Sequence, residues 1–179
     1  MMARHPNRPG LTALAVLLPI GLLCAVGCAA DKSTPPLEKQ ADRIVIVKSA
    51  RTMTLMRDGK PLKTYEVALS RQPMGPKEQV GDHKVPEGEY VVDSKNPRSR
   101  FDRALHISYP NAADREHARK LGVDPGGNVE IHGVWRAFSW VGSVHRWIDW
   151  TDGCIAVTNS EIEEIWPLVP VETPVEIRP

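Results

Sequence analysis

A mainly β domain, barrel or sandwich, with one or two short helices is what this 179-residue sequence predicts. Three observations lead there. Short runs of alternating or β-branched residues recur along residues 42–179, Gly, Pro and Asp turn signals separate them, and only two segments carry helix-capping patterns. Many short strands with few helices favour a closed or packed β architecture over a layered α/β one.

The elements follow in order. Arg43–Lys48 and Thr52–Arg57 read as strands, and Asp58-Gly59 is a hairpin signal that leads into a third strand over Leu62–Leu69. Residues 73–87 hold three prolines and two glycines and read as loop. Gly88–Asp93 and Ala104–Tyr109 are the next strands. A helix then starts at Asn111 as N-cap, with Asp114 in its first turn, Arg119 and Lys120 in its last, and Gly122 as its stop. Pro125-Gly126-Gly127 turns the chain into a short strand, Asn128–His132. Residues 133–150 show no clean period but carry four tryptophans, and read as a long loop. Cys154–Val157 is a short strand. Thr158 and Glu161 form a capping box for a helix expected to end before Pro167, and Thr173–Arg178 closes the domain as a strand.

Residues 1–27 have a different character. Arg4 and Arg8 precede an apolar run from Leu11 to Val26, shorter than a spanning helix needs, with small residues at its exit, which describes a secretory signal. Ala25-Val26-Gly27-Cys28 resembles a bacterial lipobox, so Cys28 is the expected lipidation site and the new first residue; the alternative is cleavage after Ala30. Residues 28–41 are then a flexible tether, and residues 42–179 one folded domain. The expected location is the periplasmic face of the membrane, as an outer-membrane lipoprotein, or the soluble periplasm if the cut follows Ala30.

Net charge is +1 with the signs mixed along the chain, which gives no electrostatic reason to expect nucleic acid. Of the three cysteines, Cys24 and Cys28 lie in the export segment, so Cys154 alone remains in the domain. A disulfide within one domain is therefore excluded. A lone thiol is often a small apolar filler, and the alternative is chemistry. Ile131-His132-Gly133 followed by Thr151-Asp152-Gly153-Cys154 supplies an imidazole able to activate that thiol. Gly153 lets the backbone approach a carbonyl closely, and the amides of Gly153 and Cys154 suit an oxyanion. Cys154 and His132 without a second pair of ligands make a poor zinc site, so no metal and no cofactor are expected.

These segments resemble the active-site signature of the L,D-transpeptidase catalytic domain (YkuD) family, a His-Gly or His-Ser followed by Ser/Thr-x-Gly-Cys. Gly81-Asp82, Pro86-Glu87-Gly88 and Tyr90 are similar to the family's upstream element, with Val85 where threonine is usual. Ile107–Asn111 and Thr173-Pro174-Val175 extend the resemblance over about Ile44–Ile177. The resemblance implies a mainly β fold and a cysteine enzyme acting on peptidoglycan stem peptides, at the bond between the side-chain end of a diamino acid and D-alanine. Cys154 is then the nucleophile and His132 the base, with the Gly133 carbonyl orienting the imidazole. Thr151, Gly153 and Cys154 shape the oxyanion and substrate end.

Two positions depart from the pattern. Asp152 stands where many members have histidine, and Ala156 where many have Arg or Asn. An acid facing the thiol opposes thiolate formation, so Asp152 is expected to point away or to be offset by Arg136 or Arg146. Those arginines are also candidate clamps for a stem-peptide carboxylate. His145 is the other histidine able to reach the site, whereas His106 reads as structural and His83 as surface. Three functions fit: a transpeptidase using an amine acceptor, among them an amine on a wall-attached protein; the same acyl-enzyme with water as acceptor; and a lipid-anchored wall-binding module without turnover.

Overall fold

The computed structural model describes residues 39–179 of the chain. The export segment, the lipobox cysteine Cys28 and most of the tether lie outside the described residues. Eight strands form one sheet: β1 (Arg43–Val47), β2 (Thr52–Arg57), β3 (Lys60–Glu66), β4 (Gly88–Ser99), β5 (Asp102–Ile107), β6 (Glu130–His132), β7 (Ile155–Ala156) and β8 (Pro174–Arg178). Their spatial order is β3-β2-β1-β8-β4-β5-β6-β7. Neighbours run antiparallel except β1 with β8 and β6 with β7, which are parallel.

The alternation read in the sequence is the alternation of burial. Ile44 and Ile46 of β1, Met53 and Leu55 of β2, Val92 of β4, Leu105 and Ile107 of β5, Ile131, Ile155 and Val175 are all fully buried. Successive side chains of a strand point to opposite faces, so every second residue reaches a common core. Beyond β3 the chain returns to the far end of the sheet. Ala68 and Ala156 exchange backbone hydrogen bonds of 2.9 Å in both directions. The two ends of the strand order therefore meet and the sheet closes, leaving few unpaired edges.

Two α-helices occur as expected. α1 (Ala112–Leu121) starts at Asn111, whose side chain accepts from the amides of Ala113 and Asp114, and stops at Gly122 in the left-handed conformation. α2 (Asn159–Leu168) opens with the Thr158–Glu161 capping box. It does not end before Pro167 but runs through it. In the last turn proline removes one hydrogen bond to a carbonyl on the exposed side of the helix, a smaller loss than in a helix interior. The Lys95 ammonium closes this end, donating to the carbonyls of Trp166 and Val169 at 2.5 and 2.8 Å.

Other boundaries differ from the sequence reading. β4 continues to Ser99, six residues past Asp93, as a polar hairpin with β5 that offers no apolar alternation to read. β3 ends at Glu66, and Val67–Ser70 bend inward to the closing bridges. The stretch expected as plain loop contains 3₁₀ turns over Arg136–Trp147, interrupted at Phe138 and Gly142. Turns repeating every three residues, broken twice, leave no 3.6-residue period in the sequence.

Candidate active site

Cys154 stands directly before β7, and the parallel register sets Ile131 beside Ile155 and His132 beside Ala156. Ile131 and Ile155 point into the core, so Cys154 and His132 share the opposite face, two residues apart along the pair. Cys154 is partly exposed and is the free cysteine of the described residues. It lines a cleft of about 400 Å³ with Gly153, Asp152, Asn128, Gly127, Lys77 and His83. Its Sγ–H donates to the Asn128 carbonyl at 3.7 Å.

The turn before Cys154 is made by Thr151. Its hydroxyl donates to the Cys154 carbonyl at 2.7 Å and accepts from the Gly153 amide at 3.5 Å. Gly153 has φ of +137°, and a Cβ there would lie 3.2 Å from the Lys84 carbonyl. Glycine is therefore needed both for conformation and for the approach of the neighbouring wall. Gly133 is required by space alone, since a Cβ would meet Asn159 Oδ1 at 2.7 Å and the Phe101 carbonyl at 2.9 Å.

His132 is 1% exposed, its ring stacked on Phe101 at 4.4 Å and edge-on to Trp150 at 5.7 Å. Its Nδ1 lies 2.6 Å from the Gly133 carbonyl. A carbonyl only accepts, so Nδ1 carries the proton and the lone pair of the neutral ring is on Nε2. Burial pulls the imidazole down to about 4, against the pull of the Gly133 carbonyl, with His145 lowering it further. The Cys154 thiol is pushed up to about 11, chiefly by burial, with Glu130 and Asp152 adding to the rise and the Glu130 amide and Lys77 opposing it. At neutral pH the resting pair is thus a neutral thiol and a neutral imidazole, not an ion pair.

Asp152 keeps the effect on the thiol expected of an acid, but its partners are others than expected. Its carboxylate lies 3.0 Å from His83 Nδ1 and 3.6 Å from Arg71, across the cleft mouth. Arg136 and Arg146, the expected offsets and clamps, do not border the Cys154 cleft. Arg136 pairs with Asp102 at 3.1 Å. Arg146 is mostly buried and pairs with Glu161 and, at 3.3 Å, with Glu66. Arg146, largely desolvated, pins the 3₁₀ segment to the barrel, because such a guanidinium is stable only with a carboxylate in reach, whereas the Arg136–Asp102 pair is an exposed one at the segment's start.

Several residues of the site escaped the sequence reading. His83, Lys77 and Asn128 line the Cys154 cleft and Arg71 reaches Asp152, and no local pattern marks them. Glu130, two residues before His132 and so on the same face of β6, faces Cys154 through the parallel pairing, and burial raises its own carboxyl. Asp82 is the hub of the 77–84 wall: it accepts from Lys77 at 2.7 Å and from the amides of Glu78, Gln79 and Lys84 at 2.8, 3.1 and 3.0 Å. Burial alone would raise Asp82, but Lys77 and the three amides win and hold it near 2. His145 is buried beside Trp150, behind His132 rather than at the thiol. Among the described residues no group of three or more His, Cys, Asp or Glu side chains is arranged as metal ligands.

With this geometry in view, the family model of the L,D-transpeptidase catalytic domain (YkuD) matches residues 41–177. The chain belongs to that family. The Escherichia coli K12 protein named "Putative L,D-transpeptidase YafK" is 30% identical over 174 residues, covering 87% of this chain and 63% of that protein. Among solved structures, the helical cell shape determining protein Pgp2 from Campylobacter jejuni has a TM-score of 0.58 at 24% identity, covering 75% of this chain and 46% of that one. An L,D-transpeptidase from Mycobacterium smegmatis has a TM-score of 0.50 at 17% identity, covering 76% of this chain and 58% of that one. This chain therefore spans about half to two thirds of the length of these relatives, and the two solved structures share its fold. The closed, mainly β sheet is the fold of L,D-transpeptidases, as the sequence led one to expect.

Proposed function

We propose that this protein is a peptidoglycan L,D-transpeptidase that works through an acyl-enzyme on Cys154. The observation that carries the reading is the imidazole of His132: its Nδ1–H is committed to the Gly133 carbonyl, so Nε2 is left as a base on the face that also bears Cys154. The substrate is a stem peptide, held in the cleft between the 77–83 wall and the 126–129 segment.

His132 Nε2 takes the thiol proton as Cys154 Sγ attacks the scissile carbonyl. The carbonyl π electrons move to oxygen, and the backbone amide of Cys154 stabilises that oxyanion, the Gly153 amide being turned to the Thr151 hydroxyl. Collapse of the tetrahedral intermediate breaks the C–N bond. The leaving D-alanine takes the proton from His132 and departs as an amine, leaving a thioester. An acceptor amine, on a second stem peptide or on a wall-attached protein, then attacks the thioester. His132 accepts its proton and returns it to the departing thiolate. The separation between a thiol near 11 and an imidazole near 4 means that little thiolate exists before substrate arrives. Proton transfer and attack then belong to one step, favoured once the cleft is filled.

The protein is active outside the cytoplasm in this reading, held at the periplasmic face of the membrane by a lipid on Cys28. Support comes from the basic start, the apolar run and the small residues around Cys28. Fractionation of cells expressing the parent and Cys28→Ser tests it, and a soluble parent protein starting at Asp31 would remove the anchor.

The chemistry is tested by incubating the purified protein with muropeptides and following products and intact protein by mass spectrometry. The parent is expected to form a thioester adduct and to release D-alanine, with dimeric product when an amine acceptor is present. Cys154→Ala is expected to lose turnover by about 10⁴-fold or more with an unchanged fold. Product that gains only water identifies hydrolysis as the second half-reaction. A variant still active at a comparable rate would remove Cys154 as nucleophile.

A further inference from the structure

Beside the Phe101 and Trp150 rings that contact His132, and sharing no lining residue with the Cys154 cleft, lies a second pocket of about 410 Å³. Phe101, Trp135, Phe138, Val144, Ile148 and Trp150 line it, together with His145, and no carboxylate, ammonium or guanidinium does. The ends of a stem peptide are charged and find no partner there. One polar group breaks the apolar lining. His145 is 8% exposed, and its Nε2 is buried with no hydrogen-bond partner.

The proton on that nitrogen is fixed by a neighbour. The Trp150 indole N–H donates to His145 Nδ1 at 3.4 Å, so in the neutral ring Nδ1 is the acceptor and Nε2 bears the hydrogen. Burial, with Arg146 nearby, keeps the ring neutral at ordinary pH. The pocket therefore offers an apolar enclosure with one unsatisfied donor. Buried donors are nearly always satisfied, and one that lines a pocket is poised for a ligand acceptor. A plain alkyl chain would fill the space but leave the donor orphaned, and a carboxylate would lack a cation. The matching group is small, neutral and apolar at one end with a single carbonyl oxygen. Trp135, which lines the pocket and is 48% exposed, adds a flat face at its mouth.

We propose that this pocket binds the N-acetyl group of an amino sugar, with the acetyl methyl among the aromatic rings, the carbonyl oxygen accepting from His145 Nε2–H, and the pyranose ring lying on Trp135. The choice of polymer rests on the reading of the protein as a wall enzyme. On that reading the site grips the glycan strand to which the stem peptide is attached, and so selects polymeric wall over free peptide. Trp150 and Phe101 line the pocket and also contact the His132 ring. Occupation of the pocket thus holds the rings that hold the base.

The test compares binding of an N-acetylglucosamine tetramer and of the fully de-N-acetylated glucosamine tetramer to the full-length protein at raised salt. Binding is followed by NMR of the Trp150 indole and His145 imidazole signals. The N-acetylated tetramer is expected to bind at least tenfold more tightly and to shift both signals. His145→Phe, which keeps the ring and loses the donor, is expected to weaken binding about tenfold. Trp135→Ala, at a half-exposed position, is expected to weaken it severalfold and serves if His145→Phe does not fold. Cys154→Ala should bind as the parent does, so loss of turnover and loss of sugar binding are separate results. Equal binding of the two tetramers, no binding by the parent, or undiminished binding by a folded His145→Phe would each overturn the proposal.

Discussion

The reactive centre lies between two walls built on opposite principles. The loop of residues 73–87 is held by buried charge. Lys48, fully buried at the end of β1, reaches the carbonyls of Gly75 and Val85 at 2.7 and 3.1 Å and the Glu87 carboxylate at 2.6 Å. Lys77 and Asp82, both nearly buried, close a second knot within the same loop. The segment 135–148 is held by rings and by ion pairs at its margins, with Trp140 and Trp147 respectively 80% and 83% exposed. Directional bonds between buried groups specify one arrangement, because a misplaced partner leaves a charge unpaired. Apolar contact is tolerant of small shifts. The polar wall is thus the more narrowly specified of the two, and the aromatic wall the more tolerant of displacement.

Cutting the first knot should have the largest effect. Lys48→Ala removes a buried ammonium and leaves Glu87 and two carbonyls without it, at a cost of about 3–5 kcal/mol. Burial already lowers the Lys48 ammonium against the pull of Glu87, so the pair survives on its geometry. Chemical denaturation measures the loss, and a change below about 1 kcal/mol would show that the polar wall is not held in this way.

Acid acts on the other wall. His132 and His145 are both drawn from 6.5 to about 4, first of all by burial. Between those values the unfolded chain binds protons that the folded chain refuses, so stability falls as pH falls and levels off below about 4. The expected contribution is on the order of 3 kcal/mol for His132 alone. Urea unfolding at pH 7, 6, 5 and 4 reads the slope, and His145→Phe should reduce it. A flat profile would mean that these rings are solvated and that the aromatic wall is open.

Asp82→Asn weakens the second knot by about 2 kcal/mol, since four charge-assisted bonds become neutral ones or are lost. Its effect on turnover should exceed its effect on global stability, because the loop it organises faces Cys154. Equal alkylation rates of Cys154 by iodoacetamide in parent and variant would contradict that link.

Much of this was legible in the sequence, for reasons that also explain the rest. Alternating Ile, Val and Met marked β1 and β2 because burial on one face follows the two-residue period. Asn111 and Thr158 marked helix starts because capping is local chemistry. Cys154, His132 and the Gly81-Asp82 element were visible as a family pattern. The partners of Asp152 were not, since His83 is 69 residues away and is brought close only when β3 runs on to meet β7. Arg136 and Arg146, expected to offset Asp152 or clamp a carboxylate, lie in a stretch without a period to show where a side chain points, and each pairs with an acid from another element.

The smallest effect is expected where the sequence looks most hydrophobic. Trp140 and Trp147 are large apolar residues, and large apolar residues usually stabilise by burial. Here the two rings stand mostly in solvent, so the free protein has little to lose with them. Trp140→Ser and Trp147→Ser should each change stability by no more than about 0.5 kcal/mol, as for ordinary surface substitutions. The same change at Trp150, whose ring meets His132 at 5.7 Å and donates to His145, should cost several times as much. Denaturant midpoints of the three variants, at equal slope, make the comparison direct. A loss above about 1 kcal/mol at Trp140 or Trp147 would mean that these rings pack onto the barrel in solution, and the aromatic wall would then be as fixed as the polar one.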